Sequence, residues 1–393
     1  MTDRERILAA IRGEVPDRLA WVPRLEFWYR AGRRRGTLPA ELRALSLMEI
    51  ADRLGAGYYA VLPDITDCPR ETDMIDLALG FYRLPLLTYA TTLEGVDRRV
   101  IRRGRETVVE YHTPAGSLRT TSVFTDEMLD AGASMPWITE HAIREPRDFD
   151  TVGYIFSHLK VEPQTDGYLA FRQRVGERGI VVGLASPNAC PIHHIMRELM
   201  PVEQFYYAAY DYPEKIQKLT EQMEPFYQRI KEIVADSPAE VVLLGANYDD
   251  MITPPPFFRT YILPALRDYA EVLHRKGKYL LTHTDGENRR LLPLYLEAGF
   301  DIADSVCPYP MTSLRLEEVR KAFGNRISIW GGIPSILLLP GSTPVEQFRQ
   351  YIDDLLSRYG RQSHLILGVS DMVTADADWD RLRWITDKVT STG

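Results

Sequence analysis

Residues 278–307 open with Lys278-Tyr-Leu-Leu-Thr-His283-Thr-Asp285-Gly-Glu-Asn288 and close with Phe300-Asp301-Ile-Ala-Asp304-Ser-Val-Cys307. Tyr279–Thr282 is a short apolar strand ending in His283-x-Asp285. A helix over 287–298 follows, and a second apolar strand, Asp301–Val306, ends in Asp304 and Cys307. Strands that end in metal-competent or acid–base side chains and are joined by a helix match the unit of an α/β barrel. In that fold the loops after the strands ring the end where chemistry sits.

Outward from this unit the same alternation continues. Strands are expected at Leu19–Pro23, Tyr58–Leu62, Ile180–Ala185, Val241–Ala246, Ile327–Trp330 and Leu365–Val369, in addition to the two above. Helices are expected over 2–13, 39–54, 191–200, 203–209, 212–235, 257–276, 313–323 and 344–359. The first has Thr2 as cap, Glu5 completing a capping box and Gly13 as its stop. Eight βα units close into a (βα)8 TIM barrel of one domain over residues 1–393; a doubly wound sheet is the alternative. The pattern breaks once. From about 85 to 125 polar and apolar residues alternate, with turns at Glu94-Gly95, Arg103-Gly104 and Pro114-Ala-Gly116. This is an antiparallel meander inserted after the second strand, read as a lid or a homodimer surface. Residues 125–178 read as mixed loop and helix.

Composition excludes several classes. The 393 residues are 45% hydrophobic and 26% charged, with a net charge of −8, which argues against a nucleic-acid surface. Arg30-Ala-Gly-Arg33-Arg-Arg35 is a local basic run, read as a solvated helix face or as a contact for an anion. Three scattered cysteines form no disulfide framework. The charged start opens a helix rather than a signal peptide, and no apolar run is long enough to span a membrane. A cytoplasmic protein is expected. No Gly-x-Gly-x-x-Gly or Walker-type loop follows a strand.

The strand ends supply the candidate residues. In order they carry Glu26; Asp64 and Asp67; Asn188 with His193 and His194; Asn247 with Asp249 and Asp250; His283 with Asp285; Cys307; Gly331-Gly332, which leaves room; and Ser370-Asp371. His283 and Asp285 point the same way while the chain stays extended. They would bind one Zn²⁺ with Asp371 or Cys307 as third ligand and an open fourth position. The competing reading makes Asp285 a helix cap hydrogen-bonded by His283. Glu26, Asp64 and Asp249 are the candidate catalytic groups. Trp28, Tyr29, Asn188, His193 and Asn247 are candidates for substrate binding. For the two rings packing competes, for the histidine pair a structural role, and for Asp64 and Asp249 a turn. Cys190 lacks the His/Asn partners of a nucleophile.

A set of short motifs recurs in order along the second half: Phe257…Tyr261-Ile-Leu-Pro264, Leu273-His-Arg-Lys-Gly277, Tyr279-Leu-Leu-Thr-His283, Glu297-Ala-Gly299-Phe-Asp301, Trp330-Gly-Gly-Ile-Pro334 and Leu365-Ile-Leu-Gly368-Val-Ser-Asp371. Together they resemble the uroporphyrinogen decarboxylase superfamily, and within it the corrinoid- and coenzyme M-dependent methyltransferase branch. The resemblance implies a (βα)8 barrel. It also implies a zinc ion held by a His-x-Cys after one strand and a Cys after the last. His283 matches the histidine, whereas Asp285 and Asp371 stand where the cysteines would be. Such harder ligands suit polarising an ether or alcohol oxygen better than activating a thiol. The implied function is methyl transfer from a methoxy-type donor to a cobalamin-like corrinoid on a partner protein. The decarboxylase signatures are incomplete: Tyr29-Arg-Ala-Gly-Arg33 keeps part of one, Pro63-Asp64 is a loose match to another, and Leu367-Gly368-Val369 lacks a histidine. Decarboxylation of a tetrapyrrole or other carboxylate is the alternative, and a non-catalytic corrinoid- or porphyrin-binding barrel the second.

Overall fold

The computed structural model describes residues 1–61, 74–360 and 362–392. Asp64, Asp67 and Cys68 lie outside them. The strands are β1 (Ala20–Trp21), β2 (Ala60–Val61), β3 (Tyr89–Leu93), β4 (Asp97–Arg103), β5 (Glu106–Thr113), β6 (Gly116–Val123) and β7 (Trp137–Glu140). They continue with β8 (Leu159–Pro163), β9 (Val181–Ser186), β10 (Val241–Ala246), β11 (Tyr279–His283), β12 (Ile302–Val306), β13 (Ser328–Ile333) and β14 (Leu365–Val369).

Eight of them form one parallel sheet in the order β1-β14-β13-β12-β11-β10-β9-β2. The two ends meet where the Gly57 N–H donates to the Trp21 carbonyl at 2.8 Å. The sheet is therefore a closed (βα)8 barrel, and the doubly wound alternative falls. β9, β10, β12, β13 and β14 are buried at every residue, as expected for strands covered by helices outside and a packed core inside. Helices Glu26–Arg35, Leu263–Arg275, Leu292–Ala298, Leu316–Phe323, Val345–Tyr359 and Trp379–Thr392 line the outside.

The insertion is larger than the meander alone. β4 to β7 form a four-stranded antiparallel sheet, but β3 pairs with β8. The stretch from Tyr89 to Pro163 is thus bracketed by a two-stranded ribbon, and two short strands fall inside the region expected to be loop and helix. Their alternation runs for only four and five residues, too short to stand out from a loop.

Local chemistry explains the other boundary shifts. The helix expected over 39–54 is a short turn, Ala40–Leu42, and a helix, Leu47–Leu54, because Ser46 and Glu49 form a capping box. The helix expected from 287 begins at Leu292, without a side-chain cap. The basic run lies on helix Glu26–Arg35, where Arg34 pairs with Asp126 and Asp130 of the insertion and Arg35 with Asp376. Gly331 has φ +140°, and a Cβ there would lie 2.6 Å from the Val306 carbonyl oxygen. At that position the glycine serves a close strand–strand approach rather than room at the mouth. Among the described residues no helix is long and apolar enough to cross a membrane.

Candidate active site at the barrel mouth

His283 ends β11, and the parallel register sets it beside Asp304 of β12. Its Nδ1 lies 2.8 Å from Asp304 Oδ2. The same carboxylate oxygen accepts the Tyr59 hydroxyl at 2.9 Å. Asp304 is 1% exposed, so a polar network holds this charge. With Nδ1 engaged, His283 turns Nε2 into the cavity, 3.4 Å from Asp371 Oδ1. Asp371 follows β14 and is held by Arg24, which follows β1 and donates through Nη1 to the same Oδ1 at 2.6 Å. Asp285 completes the group. One ligand atom from each of His283, Asp285 and Asp371 lies within 4.8 Å of the others.

The backbone around these side chains is unusual. Asn247, Ser305 and Ser370 have φ of 55°, 60° and 21°. Each sits at the rim, after β10, within β12 and before Asp371 respectively. Left-handed non-glycine residues are uncommon and cluster where a side chain must be re-aimed.

The electrostatics follow from the contacts. Burial pushes the His283 imidazolium down, but its hydrogen bonds to the Asp304 and Asp371 carboxylates outweigh it and raise the group to about 10. Burial pushes the Asp371 carboxyl up, yet Arg24 and His283 bring it to about 2. Asp285 is raised, by burial and by the neighbouring Asp371 charge. Tyr59 is held well above the phenol range by burial and by Asp304, so it remains a donor.

The cavity above the group has a volume of about 280 Å³. Its polar lining is Arg24, Arg197, Asn247, His283, Asp285 and Asp371; Phe27, Tyr59, Tyr82, Leu243 and Met372 are among its apolar walls. Ala133, Ser134 and Met135, between β6 and β7, reach it as well.

The structure brings together His283, Asp285, Asp371 and Asn247, whose N–H donates to the His283 carbonyl at 3.0 Å. The cap reading of Asp285 does not hold, since His283 bonds Asp304 instead and the helix starts seven residues later. Cys307 lies near Asp285 and Asp371 but outside the converging group, with its thiol raised by burial to about 11. Other candidates sit elsewhere. Asp249 accepts the N–H groups of Met251 and Glu287, and Asp250 pairs with Arg290, so both organise turns. Trp28 stacks on Trp379 at 5.3 Å and donates to the Ala377 carbonyl, and Tyr29 donates to the Leu45 carbonyl; these are packing contacts. Glu26 is buried at the start of its helix, close enough to Tyr59 to raise its pKa, but it is not among the cavity-lining residues. Asn188 and His193 are fully buried and not among the cavity-lining residues, with His193 Nδ1 accepting the Ala189 N–H. His194 is structural, held between Tyr227 and the Leu79 carbonyl. Burial pushes the Cys190 thiol up to about 12, which leaves it inert. Asp304 is noted in the sequence as a metal-competent or acid–base strand-end group but is assigned no place in the site, and Arg24, Tyr59 and Arg197 carry no role there. The signal for Asp304 was a lone carboxylate inside an apolar strand, which must find a partner when buried.

With this geometry in hand, the profile of the uroporphyrinogen decarboxylase (URO-D) family matches residues 124–392. The chain belongs to the uroporphyrinogen decarboxylase family. Among solved structures it is similar to a methyltransferase from Methanosarcina mazei. The TM-score is 0.54 at 14% identity, over 100% of this chain and 99% of that one, so the likeness is one of fold. No curated protein matches.

Proposed function

We propose that the protein is a methyltransferase of this family, which moves a methyl group from a small methoxy-type donor to a corrinoid carried by a partner protein, with a divalent cation, Zn²⁺, at the barrel mouth. The observation that carries the reading is the convergence of His283 Nε2 with the carboxylates of Asp285 and Asp371. The donor set fits such an ion. Tetrahedral zinc with bonds of about 2.1 Å needs ligand atoms about 3.4 Å apart, and His283 Nε2 and Asp371 Oδ1 are separated by 3.4 Å. A cation would also offset the burial and the Asp371 charge that together raise Asp285. The methyltransferase name of the structural neighbour points the same way.

In this reading His283, Asp285 and Asp371 hold the ion. When bound, it supplies a Lewis acid for the ether oxygen of the donor. The Asp304 carboxylate, accepting from Nδ1–H, fixes the tautomer and the ring orientation of His283, as carboxylates behind metal-binding histidines do. Tyr59 holds Asp304 in turn. Arg24 keeps Asp371 anionic and in place. Phe27, Tyr82 and Leu243 exclude water around the methyl group, and Asn247 orients the donor. Methylation of cob(I)alamin by methoxy compounds, followed by absorbance, tests the reading. Wild type loaded with zinc should turn over, and His283→Ala should lose at least about a hundredfold; no methylation from any donor would sink it.

One observation favours a second reading, metal-free decarboxylation of a small carboxylate. Arg24 already occupies the Asp371 oxygen nearest His283, so the network closes without an ion. A cavity of 280 Å³ favours a compact carboxylate over a tetrapyrrole, given that about 150 Å³ holds one benzene ring. Release of CO2 by metal-free protein would move this reading ahead. Ligand binding without either reaction would leave a binding barrel.

A further inference from the structure

The cavity has a second polar end that the chemistry above leaves without a task. Arg197 follows β9, and its Nη1 donates to the carbonyls of Pro187 at 2.8 Å and Ala246 at 3.3 Å and, at 3.5 Å, to Asn188 Oδ1. Those carbonyls lie just past β9 and at the end of β10. In the barrel order β10 is half-way round from β14, and β9 half-way round from β13. Arg197 therefore stands across the mouth from Asp371. The two carbonyls hold the guanidinium but bring no negative charge. Among the described residues the nearest carboxylate is Glu198, at 4.0 Å from Nη2, and the hydrogen bonds of the guanidinium all run through Nη1. The contrast with Arg24 is plain: that guanidinium is matched by Asp371 at 2.6 Å. Arg197 is thus a fixed cation in the cavity wall whose Nη2 and Nε are left without a hydrogen bond among the described residues.

Between the two polar ends the walls are aromatic and aliphatic, with Phe27, Tyr59, Tyr82, Met135 and Leu243. The volume admits one ring with small substituents. A guanidinium fork matches the plane and spacing of a carboxylate and binds it through two parallel hydrogen bonds. We propose that Arg197 binds a carboxylate of the methyl donor, so that the substrate class is a single-ring or similarly compact carboxylic acid whose methoxy group points to His283. This rests on the reading of the His283 group as the methyl-transfer centre. Arg197 acts as a specificity-determining residue that touches the substrate but not the reacting atoms.

Binding, read without turnover, is the test. Zinc-loaded wild type, Arg197→Gln and Arg24→Gln would each be titrated calorimetrically with para-methoxybenzoate and with the neutral para-methoxybenzamide, with melting temperatures recorded alongside. Wild type should prefer the acid by about ten- to a hundredfold, the range of a charge-assisted pair. In Arg197→Gln the acid should fall to the affinity of the amide, and the amide should be unchanged. Equal binding of acid and amide by wild type would overturn the proposal, as would binding of neither. So would an equal loss for both in Arg197→Gln, the mark of a brace for the two carbonyls, or a preference that survives in that variant and vanishes in Arg24→Gln. Because no methyl group moves in this experiment, an acid preference tied to Arg197 stands even where methyl transfer fails. Conversely, transfer from neutral donors with no such preference would defeat this inference alone.

Discussion

Two buried charge clusters sit in this molecule and do different work. One joins the insertion to the barrel: Asp76, with a fully buried side chain, receives Arg83 at 2.7 Å, Arg98 of β4 and the Tyr111 hydroxyl of β5 at 2.8 Å. The other is the mouth group, where Asp304, Asp285 and Asp371 face Arg24 and His283. In the first, one carboxylate has two guanidiniums and a phenol, and none of the four lines the cavity. In the second, three carboxylates share two cations, and the shortfall opens onto the cavity. Burial and pairing alone do not mark a site, since both clusters have them. A deficit of positive charge facing a space does.

The sharpest way to break this contrast is to remove Asp76. Asp76→Ala leaves two guanidiniums without their shared partner and should cost about 3–5 kcal/mol of stability, read by urea unfolding, while zinc bound per folded molecule stays the same. A loss of zinc with the fold intact would show that the two clusters are not independent. Next in size is Asp304→Asn. It removes the carboxylate behind His283 and should weaken zinc binding about 10- to 100-fold in a competition titration; an unchanged affinity would make Asp304 a mere packing partner. The most gradual effect is on pH, at about tenfold per unit. His283, raised to about 10, is protonated at pH 7 and must lose that proton to bind a metal through Nε2. Zinc affinity should therefore rise about tenfold per pH unit between pH 7 and 9, with about one proton released, measured calorimetrically in buffers of different ionisation enthalpy. In the metal-free protein the sign reverses. The stability that the charged imidazole draws from Asp304 and Asp371 is fully present below about pH 6.5, where a free imidazole is also protonated, and is lost as the pH rises through about 10.

The barrel was legible because strand–helix alternation and apolar runs are local patterns. His283, Asp285 and Asp371 were legible because residues just past barrel strands share one mouth. What stayed hidden is what register decides. Nothing local says that His283 stands beside Asp304 rather than Asp285, or that Arg24 after the first strand meets Asp371 after the last, 347 positions away. The pairing of β3 with β8 was hidden for the same reason. Conversely, Asp249 and Trp28 look functional in the sequence because turn-capping carboxylates and packed rings use the residue types that sites use.

The central claim is that the mouth group is a metal centre. The most direct test is elemental analysis of purified wild type, His283→Ala and Asp76→Ala, each after exposure to zinc and removal of the excess. About one equivalent in wild type and in folded Asp76→Ala, with none in His283→Ala, is the predicted result. No zinc in wild type, or the same amount in His283→Ala, would contradict it and leave Arg24, Asp371, His283 and Asp304 as a closed, metal-free network.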